Sequence, residues 1–473
     1  MPVSQQRQRR RVLRRRHGIT ALLVVLVLGA AACTSDDGDE EASADGDNST
    51  TAGSVATTTV AEDTTTTTSM PEEVELTASF RGVTADTITV GYSSIDFDRL
   101  NSEFGLDLAF QNFGPQADAI VGWYNDNGGV LGRRIELVHE RYLPVGSTTA
   151  EEVCIKLTED ATVFAVLAGF AGPGAADVNE CVAEQHDTVL VATAPRADQA
   201  ERARGLWVSS DMSLDRRNAA VAQLMADAGV LGDLGAMMVI GSNGDEQPLV
   251  DGMAEALTDV GVDVPITDVV TTTGDRIATA ADVSVWIERA QAEGVSTVVL
   301  LGEGEFRNQE FFEQAPEFTY IMGNGDAITD WQSIPPEGLQ AGTRVLTNNN
   351  GPDVDLLDDP RIGECIAAVE QAQGVEVIPT SQLPEGDPNY FSGTVGVCRT
   401  VALFVQIAEA AGPDLTNESW VAALDEVPDL SVPGYDFVSL SSTKVDARDQ
   451  LVLVEFDLET LSFDPISDPV DVG

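Results

Sequence analysis

From residue 86 onward, short apolar strands alternate with helices that carry one apolar face. Strands are predicted at 88–92, 135–138, 163–167 and 188–192. A second series of strands, separated by helices, is predicted at 236–240, 266–270 and 297–301. Such alternation predicts parallel sheets with helices packed on both faces. About 390 residues of this pattern exceed the usual core of one domain, so two lobes are expected.

Three later segments are expected to complete these lobes rather than form a third one. Residues 395–408 are apolar on nearly every face, which predicts a buried helix. Residues 437–440 and 451–456 are predicted to be late strands that join an earlier sheet. The fold class expected from the whole pattern is therefore α/β.

The first 33 residues resemble a bacterial export signal. Seven arginines between Arg7 and Arg16 precede an apolar run over 19–28, and small residues then lead to Cys33. About ten apolar residues are too few for a transmembrane helix, which needs roughly 20. Residues 1–32 are therefore predicted to be a lipoprotein signal peptide, with Cys33 as the lipidated N-terminus on the outer face of the cell membrane.

One position departs from the usual lipoprotein pattern. Ala30 stands three residues before the cysteine, where such signals usually have Leu. The alternative is an ordinary secretory signal that is cut near Ala32 and leaves Cys33 free.

Residues 33–85 are predicted to form a disordered tether. The stretch 34–48 is rich in Asp and Glu, and threonine runs follow at 57–59 and 64–68. Such a segment has too little apolar surface to offset the entropy lost on ordering.

The charge of the chain excludes two classes of partner. The net charge is −52, and it becomes −59 without the first 32 residues, which hold seven arginines and no acid. Nucleic acid binding needs a basic face, so it is not expected. Attachment to an anionic membrane surface is equally unfavourable, which leaves the lipid as the expected membrane contact.

Four cysteines follow Cys33, and an even number in an exported chain predicts two disulfides. Their spacing favours the local pairs Cys154–Cys181 and Cys365–Cys398 among three possible pairings. No Cys-x-x-Cys motif occurs, and His139 and His186 do not stand at zinc-ligand spacing from a cysteine. No metal or other cofactor is therefore expected.

The sequence contains no familiar catalytic motif. It lacks Gly-x-Ser-x-Gly, His-Glu-x-x-His and the phosphate-binding Gly-x-x-x-x-Gly-Lys. Glu303 and Glu305 are two residues apart, and side chains at this spacing need not converge. A protein without enzymatic activity is expected; the alternatives are a ligand-sensing module and, with less support, an exported hydrolase.

Four stretches carry a resemblance to a known family. They are Trp-Tyr-Asn-Asp-Asn-Gly-Gly-Val-Leu-Gly at 123–132, Ala-Gly-Phe-Ala-Gly-Pro-Gly at 168–174, Leu-Val-Ala-Thr-Ala-Pro at 190–195, and residues 237–245. In this order they resemble the substrate-binding lipoproteins of branched-chain amino acid type ABC transporters, which are similar to leucine-binding protein. The resemblance implies the type I periplasmic binding protein fold, with two Rossmann-like lobes joined by three crossing strands.

The resemblance also implies how the chain is divided and what it does. The N-terminal lobe is expected to comprise 86–207 and 345–438, and the C-terminal lobe 208–344 and 439–473. A monomer would capture a small polar solute, such as an amino acid or amide, in the cleft between the lobes. It would then deliver this solute to a membrane permease by hinge closure.

Candidate ligand contacts lie in the loops that follow the strands, because parallel sheets bind ligands beyond their carboxyl ends. These candidates are Ser94, Phe97, Ala171, Gly172, Ala194, Arg196, Asp245, Glu303, Glu305 and Asp326. Three of them, Ser94, Phe97 and Asp245, can equally serve only the loop structure.

The chain departs from the family where the ligand carboxylate usually binds. Ala171 and Gly172 stand in the second loop where Ser is usual, and Arg196 stands in the third loop near the usual Thr. Arg196 is therefore predicted to meet a ligand carboxylate or amide; alternatively, Arg196 and Arg202 belong to a surface charge pair. The resemblance implies an acid for a ligand ammonium, with Glu303, Glu305 and Asp326 as candidates.

Overall fold

Two separate β-sheets form the centre of the described chain. A computed structural model describes residues 76–104, 110–172, 174–242, 244–270, 275–302, 304–332, 335–349, 351–384 and 386–473. Its strands are β1 (Thr87–Ile95), β2 (Arg134–Tyr142), β3 (Ala165–Ala168), β4 (Val189–Ala192), β5 (Trp207–Val208), β6 (Ala236–Gly241), β7 (Ile266–Val269), β8 (Val295–Leu300), β9 (Thr319–Met322), β10 (Val345–Asn349), β11 (Gln450–Asp457), β12 (Ser462–Pro465) and β13 (Val470–Asp471).

Helices connect most of these strands. They are α1 (Phe97–Phe104), α2 (Gly114–Asp126), α3 (Thr148–Ile155), α4 (Ala197–Ala203), α5 (Leu214–Asp227), α6 (Leu231–Leu234), α7 (Gln247–Asp259), α8 (Arg276–Ala292), α9 (Glu305–Gln314), α10 (Pro360–Gln373), α11 (Phe391–Ala410) and α12 (Asn417–Ala423). Shorter 3₁₀ segments include Gly325–Gln332.

The first sheet has five strands in the order β2-β1-β3-β4-β5, and every pair is parallel. All four residues of β4, Val-Leu-Val-Ala, are buried. Continuous apolar runs of this kind are typical of parallel strands that are covered on both faces. Helices α2, α10, α11 and α12 contribute buried residues to the core around this sheet. We call this part of the molecule the first lobe.

The second sheet has the order β12-β11-β10-β9-β8-β6-β7. Strands β6 to β10 pair in parallel, whereas β11 runs antiparallel to β10, β12 and β13. Together with the helices packed on it (α5 to α9), this sheet forms the second lobe. The late strand predicted at 451–456 is confirmed as β11, whereas residues 437–440 contribute only the isolated bridge of Val438 to Arg448. The predicted α/β class with two largely parallel sheets is confirmed.

Helix α11 is the core helix of the first lobe. It is the one helix in the described part of the chain that is long and apolar enough to cross a membrane, and 72% of its most apolar window is buried inside the protein. Val401, Phe404 and Ala408 on this helix are fully buried. The sequence prediction of a buried helix over 395–408 is confirmed.

The last residues of the predicted tether are part of the first lobe. Val83 is only 3% exposed, and Gly82 lies directly against the backbone of Val163 and Phe164. The Arg133 guanidinium donates to the carbonyls of Thr77 and Thr84. The expectation of disorder up to residue 85 is therefore wrong for 76–85, because a few apolar side chains within a polar stretch find places in the core.

Strand β10 lies in the second lobe rather than in the first. Residues Val345–Asn349 pair with β9 and β11 in the second sheet, although the predicted boundary placed them in the N-terminal lobe. The chain enters the first lobe only after this strand. The chain also crosses from the first to the second lobe near Ser209 and again near Asp446. These two residues form a β-bridge, so the two crossings lie side by side.

Both predicted disulfides are formed, and both lie in the first lobe. Cys154 of α3 is bonded to Cys181, and Cys365 of α10 is bonded to Cys398 of α11. His186 lies close to the first of these bonds. Because the two sulfur atoms are joined to each other, they are not thiolate ligands for a metal.

Candidate functional site

A cavity of about 600 Å³ lies beyond the carboxyl ends of β8 and β9. This is the edge at which open parallel sheets bind ligands. We call it the second-lobe cavity. It is lined by Leu214, Asn218, Leu249, Leu300, Leu301, Gly302, Gly304, Asn308, Gln309, Phe312, Met322, Gly323, Asn324, Ala327, Ile328, Trp331, Pro335, Pro336 and Glu337.

The walls of the second-lobe cavity are mainly aliphatic and aromatic. The rings of Phe312 and Trp331 meet edge to face with their centroids 6.1 Å apart. Trp331 is 8% exposed and belongs to the core of the lobe. Glu337 is the one acidic residue among the described lining, and it is exposed. Predominantly apolar walls with a few polar groups are typical of small-molecule sites.

Three asparagines supply polar groups to this cavity, and each is fixed at one end. Asn218 donates from Nδ2 to a backbone carbonyl, Asn308 accepts from Arg307, and Asn324 accepts from Arg217. The opposite end of each amide has no hydrogen bond partner among the described residues. These ends, one acceptor and two donors, are therefore available to a ligand.

Arg307 lies against Gly304 and is fully buried. Its Nη1 donates to the carbonyls of Ile240 (3.2 Å) and Leu301 (2.9 Å), while Nε and Nη2 donate to Asn308 Oδ1 at 3.1 and 2.8 Å. Burial lowers the pKa of Arg307 to about 10, and the nearby Glu246 carboxylate opposes this shift. All three guanidinium nitrogens are engaged, so this cation serves the local structure.

A smaller cavity of about 190 Å³ lies where the two lobes meet. We call it the interlobe cavity. Its second-lobe side is formed by the 3₁₀ segment Gly325–Gln332, and its first-lobe side by the start of α11. It is lined by Asp211, Asp326, Thr329, Gln332, Asn349, Gly351, Asp353, Leu356, Thr380, Phe391, Ser392, Val395, Gly396 and Arg399.

Asp326 is the charged centre of the interlobe cavity. Its Oδ2 accepts from Arg217 Nη2 at 2.8 Å and from Arg448 Nη1 at 2.5 Å, and its side chain is 30% exposed. Burial by itself raises the pKa of this carboxyl, but Arg448 and Arg217 outweigh that effect and hold its pKa well below the usual range. The carboxylate is therefore ionised in the folded protein.

Tyr435 connects this carboxylate to the first lobe. Its ring lies 4.1 Å from the Arg399 guanidinium and 5.3 Å from that of Arg448. Its hydroxyl donates to Asp211 Oδ1 at 2.6 Å. Burial raises the pKa of Tyr435, so the phenol stays protonated and remains a donor. A continuous set of polar contacts thus runs from the first lobe to Asp326 in the second.

The predicted ligand contacts of the first lobe lie outside both of these cavities. Phe97 is 8% exposed and packs against the rings of Phe110 and Phe113. The Ala171 backbone N–H donates to the Tyr142 hydroxyl at 2.7 Å. Ser94 is buried, a Cβ on Gly172 would collide with Pro144, and Ala194 is half-buried. None of these five predicted residues lines either cavity.

Arg196 lies on the surface and lines neither cavity. Its Nε is 3.6 Å from Asp198 Oδ1, and both side chains are about half exposed. Asp198 also pairs with Arg202, which in turn contacts Glu180 and Glu184. The structure therefore places Arg196 in a surface charge network with Asp198 and Arg202, as its alternative predicted.

The remaining predicted residues divide into one that lines a cavity and several that are not described. Asp326 lines the interlobe cavity. Glu303 lies outside the described residues, as do the side chains of Asp245 and Glu305. The predicted lipidation residue Cys33 also lies outside them.

Sequence reasoning missed the three arginines that surround Asp326 and Tyr435. Arg217 and Arg448 stand in ordinary polar contexts, so their sequence neighbourhood carries no signal. Arg399 is different, because it is the one basic residue in the apolar helix α11. A lone cation in a helix that is otherwise buried points to a paired or functional group, and it could have been singled out.

Comparison with known proteins identifies the family to which this fold belongs. Residues 109–454 match a family described as periplasmic binding protein. No curated protein sequence matches the chain. Two α/β lobes that share a cavity at their junction define the class of two-lobed binding proteins. The family match covers more than half of the sequence, and the chain belongs to the periplasmic binding protein family, as the resemblance predicted.

Three solved structures illustrate the likeness. A solute-binding protein of an R. palustris ABC transporter, in complex with 4-hydroxybenzoate, is 16% identical with a TM-score of 0.60; the match covers 82% of this chain and 98% of that one. A Desulfitobacterium hafniense protein in complex with Leu has 16% identity, a TM-score of 0.57 and coverages of 80% and 100%. A fatty acid ABC transporter substrate-binding protein from Thermomonospora curvata has 16% identity, a TM-score of 0.56 and coverages of 83% and 94%.

Proposed function

We propose that the chain is an extracytoplasmic solute-binding lipoprotein that captures a small solute between its lobes and delivers it to an ABC permease. The observation that carries this proposal is the interlobe cavity, which is lined by residues of both lobes. A solute held there contacts α11 of the first lobe and the segment Gly325–Gln332 of the second at the same time.

A solute that contacts both lobes can favour the closed form of the protein. A ligand shifts a conformational equilibrium by the difference between its affinities for the two states. Hinge closure between two lobes brings more groups onto the ligand, so the closed form is favoured. The permease then receives the loaded, closed form, while the binding protein itself leaves the solute chemically unchanged.

The family and the solved structures support this proposal. The R. palustris and D. hafniense proteins are named as parts of ABC transporters, and their structures hold 4-hydroxybenzoate and Leu. Among the sequence candidates, Asp326 keeps a proposed ligand role. Its Oδ1 has no hydrogen bond partner among the described residues and can accept from a solute hydroxyl or ammonium.

The sequence supports the location. Residues 1–32 have the order of a lipoprotein signal, and Cys33 follows small residues directly. We propose that the lipid on Cys33 holds the protein at the outer face of the cell membrane. Replacing Cys33→Ala is expected to release the protein into the medium, as measured by fractionation of producing cells; retention at the membrane would contradict the anchor.

A thermal-shift screen against amino acids, amides, short peptides, carboxylates and sugars tests solute capture. A solute at 100 times its dissociation constant should add about 2.7 kcal/mol to the free energy of unfolding. Solution scattering with the same solute should show contraction. Recovery of the solute unmodified would support binding rather than turnover.

Two glycine variants provide the matched test of the interlobe cavity. Gly396 lines it, and a Cβ at Gly396 meets no atom within 4 Å. Gly396→Leu is therefore expected to fill the cavity and abolish the solute-induced contraction without harming the fold. Gly363→Leu on α10, where a Cβ also has open space, is the control and should contract normally. Normal contraction of both variants would contradict the proposed site.

A further inference from the structure

We infer that the solute is a small organic acid whose carboxylate pairs with Arg399 in the interlobe cavity. This inference rests on the proposed function and names the solute class of the same site. It assigns to Arg399, on helix α11, the carboxylate role that was expected of the surface residue Arg196. The burial of Arg399, its unpaired nitrogens and the groups that hold it in place support the assignment.

Arg399 is a buried cation without a counter-charge among the described residues. It is 9% exposed and lines the interlobe cavity. Its Nε donates to the Pro433 carbonyl at 2.9 Å, whereas Nη1 and Nη2 form no hydrogen bond or ion pair with a described residue. A guanidinium has five N–H donors, so four of them lack a protein acceptor in the described part of the chain. A buried charge of this kind is unfavourable until a partner joins it.

Other buried arginines differ from Arg399 in this respect. Arg217 and Arg448 each bind the Asp326 carboxylate, at 2.8 and 2.5 Å. Each of the three nitrogens of Arg307 donates to a protein acceptor. Arg399 has one carbonyl and an open cavity beside it, so an anionic group of a solute in that cavity can supply the missing partner.

Two rigid groups hold the Arg399 guanidinium in place. The centre of the Tyr435 ring lies 4.1 Å from its Cζ atom, and the Pro433 carbonyl fixes Nε. Tyr435 is itself fixed, because it is 3% exposed and its hydroxyl donates to Asp211. A guanidinium that is oriented in advance loses little entropy on binding and presents parallel N–H donors that match the two oxygens of a carboxylate.

The start of α11 adds to the positive potential of the same space. Phe391, Ser392 and Val395 in the first turns of this 20-residue helix also line the interlobe cavity. The N-terminal end of a helix carries a partial positive charge from its backbone N–H groups, and this charge favours anions. Arg399 and the helix start therefore act on a bound carboxylate in the same direction.

The three described carboxylates that line the cavity are already engaged. Asp326 binds two arginines, and Asp211 accepts from the Tyr435 hydroxyl. Asp353 accepts from the backbone N–H and the hydroxyl of Ser381. The two guanidinium groups on Asp326 outweigh its single negative charge, which reduces the repulsion that a bound acid meets from the second lobe.

The cavity favours a small acid that also carries a hydrogen-bond donor. Its volume of about 190 Å³ lies below the range of roughly 300–1,000 Å³ that is usual for pockets of drug-sized ligands. The Oδ1 atom of Asp326, on the second-lobe side, can accept from a hydroxyl or ammonium of the same molecule. Such an acid would contact Arg399 in the first lobe and Asp326 in the second, as closure requires.

Pairs of an acid and its amide test the solute class on the full chain. The probes are 4-hydroxybenzoate with 4-hydroxybenzamide, leucine with leucinamide, and lactate with lactamide, measured by calorimetric titration near neutral pH. At least one acid is expected to bind with a Kd about ten-fold or more below that of its amide, because only the acid supplies a counter-charge to the buried guanidinium. Binding of the amides as tightly as the acids, or no binding of any of these acids, would overturn the inference.

An arginine variant and a matched control localise the effect. Arg399→Gln is expected to raise the Kd of the bound acid about ten-fold or more and to leave the Kd of its amide nearly unchanged, so the preference for the acid disappears. Arg399→Lys keeps the charge but loses the planar fork, and should keep part of the preference. Arg289→Gln is the control: the Arg289 guanidinium also lies 4.1 Å from the centre of an aromatic ring, that of Trp286, but outside both cavities. This variant should bind like the unsubstituted protein.

The ratio of the two Kd values separates recognition from a structural role. Equal weakening of acid and amide in Arg399→Gln would show that Arg399 only supports the fold, and an unchanged preference for the acid would place the carboxylate elsewhere. If Arg399→Gln does not fold, Arg399→Lys decides the question, because an unchanged ratio in that variant would also contradict the assignment.

Failure of this inference can be told apart from failure of the proposed function. A solute without an acidic group that contracts the unsubstituted protein, but not the Gly396→Leu variant, would leave solute capture standing and remove only the acid class. Absence of contraction with every solute would instead count against the proposed function itself.

Discussion

The two lobes differ at the carboxyl edges of their parallel strands. In the first lobe the loops at the carboxyl edge bind each other: Ser93 donates to the Gly169 carbonyl at 2.5 Å, and Asn179 makes hydrogen bonds to both the N–H and the carbonyl of Phe170. In the second lobe the corresponding edge opens into a cavity of about 600 Å³ with unpaired amide ends. The carboxyl edge of the first sheet is filled by groups of its own loops, whereas the carboxyl edge of the second sheet borders an open cavity.

This difference assigns separate tasks to the lobes. Polar groups that are already paired offer little to a ligand, because binding would have to replace existing hydrogen bonds. We therefore expect the interlobe and second-lobe cavities, rather than the carboxyl edge of the first sheet, to supply most of the groups that select a solute. Five predictions test this contrast.

Removal of the disulfides should have the largest effect, and it should be confined to the first lobe. The bonds close loops with sequence separations of 27 and 33 residues, and the second lobe has no cysteine. Replacing both pairs by alanine is expected to lower the free energy of unfolding by about 7 kcal/mol, with about 3.5 kcal/mol from each pair. Urea unfolding measures the loss, and hydrogen exchange locates it. An equal loss of protection in the second sheet would contradict the independence of the lobes.

Removal of the Asp326 carboxylate should rank second. Asp326→Ala leaves Arg217 and Arg448 buried without their counter-charge, so the expected loss is about 3–5 kcal/mol in urea unfolding. Asp198→Ala in the exposed network of the first lobe is the matched control, with an expected loss below about 1 kcal/mol. Similar losses in the two variants would show that the ion pairs of Asp326 with Arg217 and Arg448 stabilise the protein no more than an exposed ion pair does.

Lowering the pH should reduce the difference in stability between the unsubstituted protein and Asp326→Ala. Because the folded-state pKa of Asp326 lies below the unfolded value of about 3.8, the carboxylate stabilises the protein above that pH, and this contribution is lost as pH falls toward the folded pKa. The gap between the unsubstituted protein and Asp326→Ala should therefore be constant near neutrality and shrink below about pH 4. A gap that widened in acid would contradict the assigned pKa direction.

Enlarging a side chain should lower the free energy of unfolding at the carboxyl edge of the first sheet but hardly change it at the carboxyl edge of the second. Gly172 has φ +94°, and its Cβ would lie 2.6 Å from Pro144 Cβ, so Gly172→Ala is expected to cost about 1–3 kcal/mol. Ala327 is exposed at the second-lobe cavity, so Ala327→Val should stay within about 0.5 kcal/mol. Thermal unfolding compares the two, and equal tolerance would show that the first edge is not filled.

The smallest effect is expected at Arg196. Its ion pair with Asp198 is long and exposed, so Arg196→Ala should change the free energy of unfolding by less than about 1 kcal/mol. The affinity for any solute found in the screen should be unchanged, as measured by calorimetry. A clear loss of affinity would restore the carboxylate role predicted from the sequence.

Local patterns in the sequence predicted most of the fold. Apolar periodicity is set by which face of an element is buried, so β4, α11 and the late strand β11 could be recognised from their own residues. Disulfide partners could be proposed because Cys154 and Cys181 are close in sequence. Residues 76–85 were misassigned because their polar composition conceals a few side chains, such as Val83, that the core accepts.

The charged centre could not be predicted in the same way. Asp326 is 109 residues from Arg217 and 122 from Arg448, and no local pattern joins them. The first-lobe candidates were chosen because they follow strands, yet position after a strand does not tell whether a loop fills its own space. That distinction depends on tertiary contacts such as the Tyr142 hydroxyl on the Ala171 N–H.

The described chain enters the first lobe at one defined edge of its sheet. The backbone of Thr77 contacts Arg133 just before β2, and Arg81 binds the carbonyls of His186 and Asp187 just before β4, so entry is at the amino edge of the sheet. Residues 76–85 therefore occupy the amino edge of the first sheet and leave its carboxyl edge to the loops that follow β1 and β3.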